Sequence, residues 1–389
     1  MATNGEASDV YARMGVKKLI NAQSWVTGLG GSLMRREVFS AMEEAGRYFV
    51  DMEELHDAAG RVVARACGAE AGMVTAGAAA GNMLMSAAVM TETDDVRIER
   101  LPDTSGMKNE ILIFKAQRNH YDKMFEVPGA RLVEVGMPNV ARRYHLEAGL
   151  GEKTAAVAYI FAPFLKQPLT LRETSEIAHA RGIPVLVDAS AMVPPIENLT
   201  RFVREGADMV TFSGGKGIAG PQNSGLLAGK TELIRAARKN YMNPASARAS
   251  VVRAAKVSKE TIVGLVTAIE LFLDSDHSAI WNDWRVRAEY IVDRIRGIPG
   301  IRAVVEEEPN RQGPQPVIYF EASWKGPSPE SVRKLLREGT PPIHVGRGGY
   351  RDEINVVMVN VQKGEEKIIA EALDRILRGS QDSNRPSKA

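Results

Sequence analysis

Ala207-Asp208-Met209-Val210-Thr211-Phe212-Ser213-Gly214-Gly215-Lys216-Gly217 is the stretch whose reading decides the fold. An apolar, β-prone run ends there in a hydroxyl, two glycines and a lysine, with Gly220-Pro221 close behind. The pattern predicts a buried strand over 208–212 with Lys216 just past its end. A lysine so placed is poorly hydrated and close to backbone amides. It loses part of its preference for the charged form and can act as an amine nucleophile. The same residues also suit an ordinary solvated loop lysine, so the partners offered by the rest of the chain must decide.

Working outward, short apolar runs at 111–116, 132–135, 155–161, 184–187 and 224–228 read as further buried strands. Helical periodicity occupies 36–49, 55–67 and 171–181, and the turn at 75–82 opens another helix. Buried strands alternating with helices predict an α/β domain with a mostly parallel sheet covered on both faces. In such sheets ligands sit beyond the carboxyl ends of the strands, where Asp188, Ser213 and Lys216 all fall. Residues 19–31 carry too many turn formers for a regular element. After about 250 the texture changes. Helices at 257–273, 281–295, 330–337 and 365–377 interleave with short strands at 301–305, 317–321 and 354–359, a smaller α+β domain. The expected division is an N-terminal arm 1–15, a large domain 16–255, a small domain 256–378 and a flexible tail 379–389.

With 389 residues the chain is too long for one compact core. Fifty basic against 48 acidic residues give a formal charge of +2, which leaves no electrostatic footprint for nucleic acid or a membrane surface. Cys67 is the only cysteine, excluding an intrachain disulfide and a cysteine metal cluster. The six histidines contain neither an i, i+4 pair nor His-Glu-x-x-His, so no metal is expected. Gly225 to Thr231 imitates a phosphate loop but sets three residues between its glycines where four are needed. The uncharged run 71–90 reads as a turn and a buried helix of roughly 20 Å, too short for ~30 Å of hydrocarbon. The polar start (Asn4, Glu6, Asp9) lacks a signal-peptide pattern, so the expected location is the cytoplasm.

Four features fit one chemistry. Lys216 can form a Schiff base with an aldehyde cofactor. Asp188, ending the run 185–187, can pair with a pyridinium nitrogen and keep the ring electron-withdrawing. The turn Gly77-Ala78-Ala79 offers free amides and a helix N-terminus to a phosphate, and Ser213 can add a hydroxyl. Together they describe pyridoxal 5′-phosphate. Plainer readings stand beside these, and beside two further candidates, His120 as a ring stacked on the cofactor and Ser190 as a cofactor contact. Asp188 suits a turn or a helix cap, Gly77–Gly81 tight helix packing, Asn119-His120-Tyr121 a surface turn, and Ser190 a turn position.

Gly206-Ala207-Asp208, Thr211 to Lys216, and Gly220-Pro221-Gln222 resemble the lysine segment of the selenocysteine synthase family, L-seryl-tRNA(Sec) selenium transferase and its relatives. Leu19-Ile20-Asn21-Ala22, Leu132-Val133-Glu134-Val135-Gly136 and the segment holding Arg253, Lys256 and Lys259 are similar to it too. The resemblance spans most of 17–360. It implies a fold-type-I pyridoxal-phosphate enzyme, with a mostly parallel, seven-stranded-type sheet in the large domain and a smaller α+β C-terminal domain. Gly30-Gly31-Ser32 and Phe49 to His56 resemble the tRNA-independent branch typified by D-glucosaminate-6-phosphate ammonia-lyase. Three departures set the chain apart from the selenium transferases. The extended N-terminal tRNA-binding region has no room ahead of Asn21, Gly214-Gly215 stands where an acid precedes the lysine, and Lys256 replaces an arginine. No tRNA partner is expected.

By the resemblance, Lys216 is the Schiff-base lysine, Asp188 the ring-nitrogen partner and His120 the ring-stacking residue. Gly77, Ala78, Ala79 and Ser213 hold the cofactor phosphate. Apart from the resemblance, Ser190, two residues past Asp188, is as much a candidate for cofactor contact as for a turn. Arg347 matches the region where the family places a basic residue on the substrate carboxylate; Arg351 is its neighbour, and Gln23 and Arg253 are further substrate-side candidates. Arg347 equally suits a surface loop, and Arg253 a solvated helix start. The implied reaction is α-proton removal by Lys216 from a polar β-hydroxy amino acid, such as a phosphorylated amino-sugar acid, giving a 2-oxo acid and ammonia. A racemase or epimerase, a selenium transferase, and a non-catalytic binding relative remain open. The resemblance also implies at least a homodimer.

Overall fold

The computed structural model describes residues 9–382 apart from 163, 164, 166, 245, 308–311 and 348–352, with backbone only at 380–382. Part of the expected arm (1–8), the end of the expected tail (383–389) and Arg351 lie outside the described residues. The strands in chain order are β1 (Ile20–Ala22), β2 (Ala71–Thr75), β3 (Glu110–Phe114), β4 (Arg131–Val135), β5 (Thr154–Ile160), β6 (Val185–Asp188), β7 (Met209–Ser213), β8 (Gly225–Gly229), β9 (Ile301–Glu306), β10 (Gln315–Phe320), β11 (Ile343–Arg347) and β12 (Glu353–Asn355).

Residues 30–275 form one compact unit. Among the described residues its seven strands run in the order β2-β8-β7-β6-β5-β3-β4, with β8 antiparallel to both neighbours and the rest parallel to one another. Ile111 to Phe114, Ala156 to Tyr159 and Val185 to Val187 are buried throughout, as a parallel sheet covered on both faces requires. Fully burying each such aliphatic side chain contributes about 1.5–3 kcal/mol. The helix Met52–Cys67 starts on Asp51, whose carboxylate accepts from the amides of Glu53 and Glu54, and it packs along β2. At Gly60 the approach is close: an added Cβ would lie 2.4 Å from the Gly72 carbonyl oxygen. Cys67 is buried in this core, and burial pushes its thiol up to about 12, so it is no reactive nucleophile.

Residues 1–29 and 276–389 make up the second unit. Its sheet runs β1-β11-β12-β10-β9, with β1 parallel to β11 and the other pairings antiparallel. The helices His277–Ile295, Pro329–Arg337 and Glu365–Asp382 bury Ile291, Ile295, Leu336, Ile369 and Leu373 with its strands.

Several expectations change. Residues 19–31 do contain a strand: Ile20, Asn21 and Ala22 pair with Ile343, His344 and Val345, more than 300 positions away. Residues 71–75 are edge strand β2, not a turn. The expected strand 354–359 stops at Asn355 and gives way to a 3₁₀ turn, Met358–Asn360. The division falls after Ser275, not 255, because the helix Lys259–Leu273 packs on Arg36–Gly46 and Met52–Cys67. Residues 16–29 join the C-terminal unit through β1.

His56 packs edge-on against Tyr241, and among the described residues neither of its buried ring nitrogens has a hydrogen-bond partner. Burial, then the Arg238 charge, push it from 6.5 to about 4, against an opposing pull from Asp57. The unfolded chain therefore takes a proton that the folded chain refuses between those values. Stability should be complete above about pH 6.5 and fall towards pH 4 by up to roughly 3 kcal/mol. His56→Phe should flatten that part of a urea-unfolding pH series. Gly60→Ala should lower stability by about 1–3 kcal/mol through overpacking, read by the same unfolding midpoint.

Candidate active site

Three strands of the large unit deliver the site. The ladder pairs Asp188, at the end of β6, with Thr211 on β7, and two residues later the Ser213 amide donates to the Ser190 carbonyl at 3.3 Å. Ser190 and the lysine loop thereby leave the sheet side by side. The Lys216 ammonium nitrogen reaches the Ser190 hydroxyl at 3.5 Å. The Asp188 carboxylate is buried and accepts from two donors: the Ser190 amide at 2.9 Å, and the Asn82 side-chain amide at 2.7 Å. Burial lowers the Lys216 amine below its ordinary value, and the Asp188 charge partly opposes that shift.

The third strand is β2. Beyond it Gly77, with a φ of 98°, turns the chain into the helix Ala78–Thr91. That positive φ is reserved in practice for glycine. No side chain caps this helix, and its first intrahelical bond runs from the Gly81 amide to the Gly77 carbonyl, leaving the amides of Ala78, Ala79 and Ala80 without partners in the helix. Ser213 pairs across the sheet with Gly225, where an added Cβ would lie 2.6 Å from the Gly77 carbonyl carbon and 2.9 Å from the Ala78 nitrogen. The Ser213 strand end and the open helix start are thus neighbours through Gly225.

The lysine loop closes on itself. The Gly214 amide donates to Ser224, Gly220 to the Gly214 carbonyl, and Ala219 to the Lys216 carbonyl, at 2.8, 2.8 and 2.9 Å. At Gly215 an added Cβ would lie 2.5 Å from Gln222 Cα, so the position has no space for a side chain. An acidic side chain beside the lysine would therefore have no room in this chain.

The structure brings together Lys216, Asp188, Ser190, Ser213, Gly77, Ala78 and Ala79. His120 is exposed on a turn with its ring 4.0 Å from that of Tyr121, and no recorded contact ties it to Lys216 or Asp188. Arg253 is half-buried in the 3₁₀ turn Val251–Ala255, beside the helix Ala78–Thr91. Gln23 and Arg347 belong to the other unit. Because Ala22 pairs with Val345 in parallel, they leave neighbouring strands at the same end. The Arg347 guanidinium is exposed and 3.7 Å from the Glu330 carboxylate. Sequence reasoning passed over Asn82. Its signal was a lone amide in the helix Ala78–Thr91, which is buried on nearly every face.

Residues 19–281 match the family model for SelA, L-seryl-tRNA selenium transferase. The chain belongs to this family. Its relatives within and around the family differ in activity. The chain is 31% identical over 384 residues to the D-glucosaminate-6-phosphate ammonia lyase of Salmonella typhimurium, covering 96% of this chain and 99% of that one. It is 31% identical over 349 residues to a 5′-C-glycyluridine monooxygenase-decarboxylase of Streptomyces sp, covering 86% and 83%. A selenium transferase of Solidesulfovibrio magneticus is 27% identical over 62% of this chain and 58% of its own length. The solved D-glucosaminate-6-phosphate ammonia-lyase superposes with a TM-score of 0.84 at 30% identity, over 97% of this chain and all of that one. The cysteine desulfurase CsdA of Escherichia coli shares the fold alone, at a TM-score of 0.56 and 18% identity over 90% and 93%. The large mostly parallel sheet is that of the fold-type-I pyridoxal-phosphate enzymes.

Gly215→Asp should not restore a family-like site. The displaced Gln222 backbone would disturb the lysine loop, lowering the thermal midpoint by several degrees and weakening uptake of pyridoxal 5′-phosphate in a fluorescence titration.

Proposed function

We propose that this enzyme is a pyridoxal 5′-phosphate-dependent ammonia-lyase acting on a polar β-hydroxy amino acid, with a phosphorylated amino-sugar acid as the favoured substrate class. The arrangement of Lys216, Ser190, Asp188 and Asn82 beside an uncapped helix start is the observation that carries this reading.

The residues present suit the cofactor. Among the described residues, the buried oxygen of Asn82 has no partner, the amides of Ala78 to Ala80 are open, and no atom lies within 4 Å of the place a Gly77 Cβ would take. The phosphate would be held by Gly77, Ala78, Ala79 and Ser213, the ring nitrogen by Asp188, and the aldehyde by Lys216. When bound, the cofactor supplies an aldehyde for the substrate amine and a ring that withdraws electrons from Cα.

This chain's residues do the rest. Its depressed amine leaves more of Lys216 uncharged near neutrality than an ordinary lysine, so it can take the substrate's α-proton. The Asp188 carboxylate, kept in place by Ser190 and Asn82, would pair with the ring nitrogen and keep it positive. The electron pair left at Cα expels the β-hydroxyl, which departs as water with the proton returned from Lys216. The double bond so formed takes a proton from water at Cβ as it shifts to the bond between Cα and nitrogen; water then adds at the former α-carbon, and ammonia leaves with the 2-oxo acid. Arg347, with Gln23 beside it, is proposed for the substrate carboxylate, since a guanidinium fork matches both oxygens. Arg253 is proposed for an anionic substrate tail, and His120 for the ring face.

A formal charge of +2 gives tRNA binding no support. Among the described residues no helix is long and apolar enough to cross a membrane. At least a homodimer is proposed; the exposed side chains of Phe39, Tyr48, Phe49 and Val50 support it, and light scattering should give twice the chain mass or more.

The 31% identity to a monooxygenase-decarboxylase favours a second reading, oxidative decarboxylation of an amino acid. A panel of hydroxy amino acids should release 2-oxo acid and ammonia in equal amounts, without oxygen uptake. Oxygen consumption with carbon dioxide release would instead support the second reading, and a retained amine with scrambled stereochemistry would mark a racemase. Lys216→Ala should abolish turnover, by at least roughly a thousandfold, together with the visible absorbance of the lysine-bound cofactor.

A further inference from the structure

Lys216 sits in the run Gly214-Gly215-Lys216-Gly217, so three of its nearest neighbours have no side chain to hold the backbone. Glycine backbone is the most permissive in the chain, yet a catalytic amine needs a fixed origin. Most peptide groups of this segment are tied within the loop: Gly214 to Ser224, Gly220 to Gly214, and Ala219 to Lys216. The peptide joining Gly215 to Lys216 is different. Its carbonyl oxygen accepts from outside the loop, twice, and both donors belong to Ser32: the amide at 3.2 Å and the hydroxyl at 3.0 Å.

We propose that Ser32 is the positioning residue for Lys216, clamping the peptide plane from which the lysine side chain springs. The inference rests on the role given to Lys216 above. A peptide unit is planar, so fixing the Gly215 oxygen also fixes the nitrogen and Cα of Lys216. The approach that permits this is built into the preceding residue. Gly31 has a φ of 76°, and an added Cβ there would lie 2.8 Å from the Gly215 oxygen and closer still to the Gln222 side chain. Only a residue without a Cβ brings Ser32 within reach. The anchor also stands where the chain enters the large unit, since that unit begins at Gly30. The first turn of that unit is therefore pinned to the lysine peptide, and among the described residues the hydroxyl of Ser32 is partnered there alone.

Three variants test this in the full-length protein. Ser32→Ala removes the hydroxyl and keeps the amide, Ser32→Thr keeps both donors, and Ser32→Cys supplies a weaker donor of similar size. Hydrogen exchange of the amides at 214–220 should quicken roughly five- to tenfold in Ser32→Ala, the size expected for one lost hydrogen bond, less in Ser32→Cys, and not in Ser32→Thr. The second readout is the pH profile for acetylation of the Lys216 amine by acetic anhydride, followed by mass spectrometry without added cofactor. In Ser32→Ala its midpoint should move up towards that of an ordinary lysine, with rescue in Ser32→Thr. Should Ser32→Ala not fold, the graded comparison of Ser32→Cys with Ser32→Thr decides. Wild-type exchange and an unmoved amine profile in Ser32→Ala and Ser32→Cys would overturn the proposal. Failure of the cofactor assignment would look different: the wild type would show no visible absorbance on addition of pyridoxal 5′-phosphate, while the Ser32 effects on Lys216 persisted.

Discussion

The pairing of β6 with β7 is the constraint on which the rest of the large unit depends. Their register sets Asp188 opposite Thr211 and then lets the Ser213 amide meet the Ser190 carbonyl. A slip of one residue would turn every side chain of β7 to the other face, because strand side chains alternate with a period of two. Asp188 would then lose its place beside the lysine loop. Strands buried on both faces resist such slippage, and β5, β6 and most of β7 are buried in this way.

That register lets a carboxylate and an amine be taken out of water together. Asp188 is satisfied by Ser190 and Asn82, which limits the penalty of burying it. Lys216 is half-buried beside it, and burial depresses its amine against the opposing Asp188 charge. The two groups act on the same space from adjacent strand ends, with a helix start beside them. Polar requirements of this kind converge where parallel strands end, since the strands deliver their following loops to one edge.

The family likeness and the local geometry bear on different questions. Membership of the SelA family goes with the large, mostly parallel sheet. It does not select a reaction, because relatives of similar identity are named as an ammonia lyase and as a monooxygenase-decarboxylase. Within this chain, the packing of Gln222 against Gly215 leaves no volume for a side chain beside the lysine. A change in the site is thus a change in backbone packing as well as in side chains.

Much of this protein is legible in the order of its residues. Apolar runs between helical stretches predict the parallel sheet, since burial on both faces imposes a continuous apolar pattern. The same runs place Asp188, Ser213 and Lys216 at strand ends, and Gly77 announces a turn through its own backbone freedom. These are local effects, acting within a few residues. Tertiary structure alone decided the others. Residues 20–22 become a strand only because 343–345 lie alongside them, and the helix at 259–273 belongs to the large unit only through its packing there. Asn82 finds Asp188 across 106 positions, and Ser32 finds Gly215 across 183. A hydrogen bond between such distant residues leaves no periodic trace in either segment, because its partners are chosen by the folded backbone that brings donor and acceptor within 3 Å or so of each other.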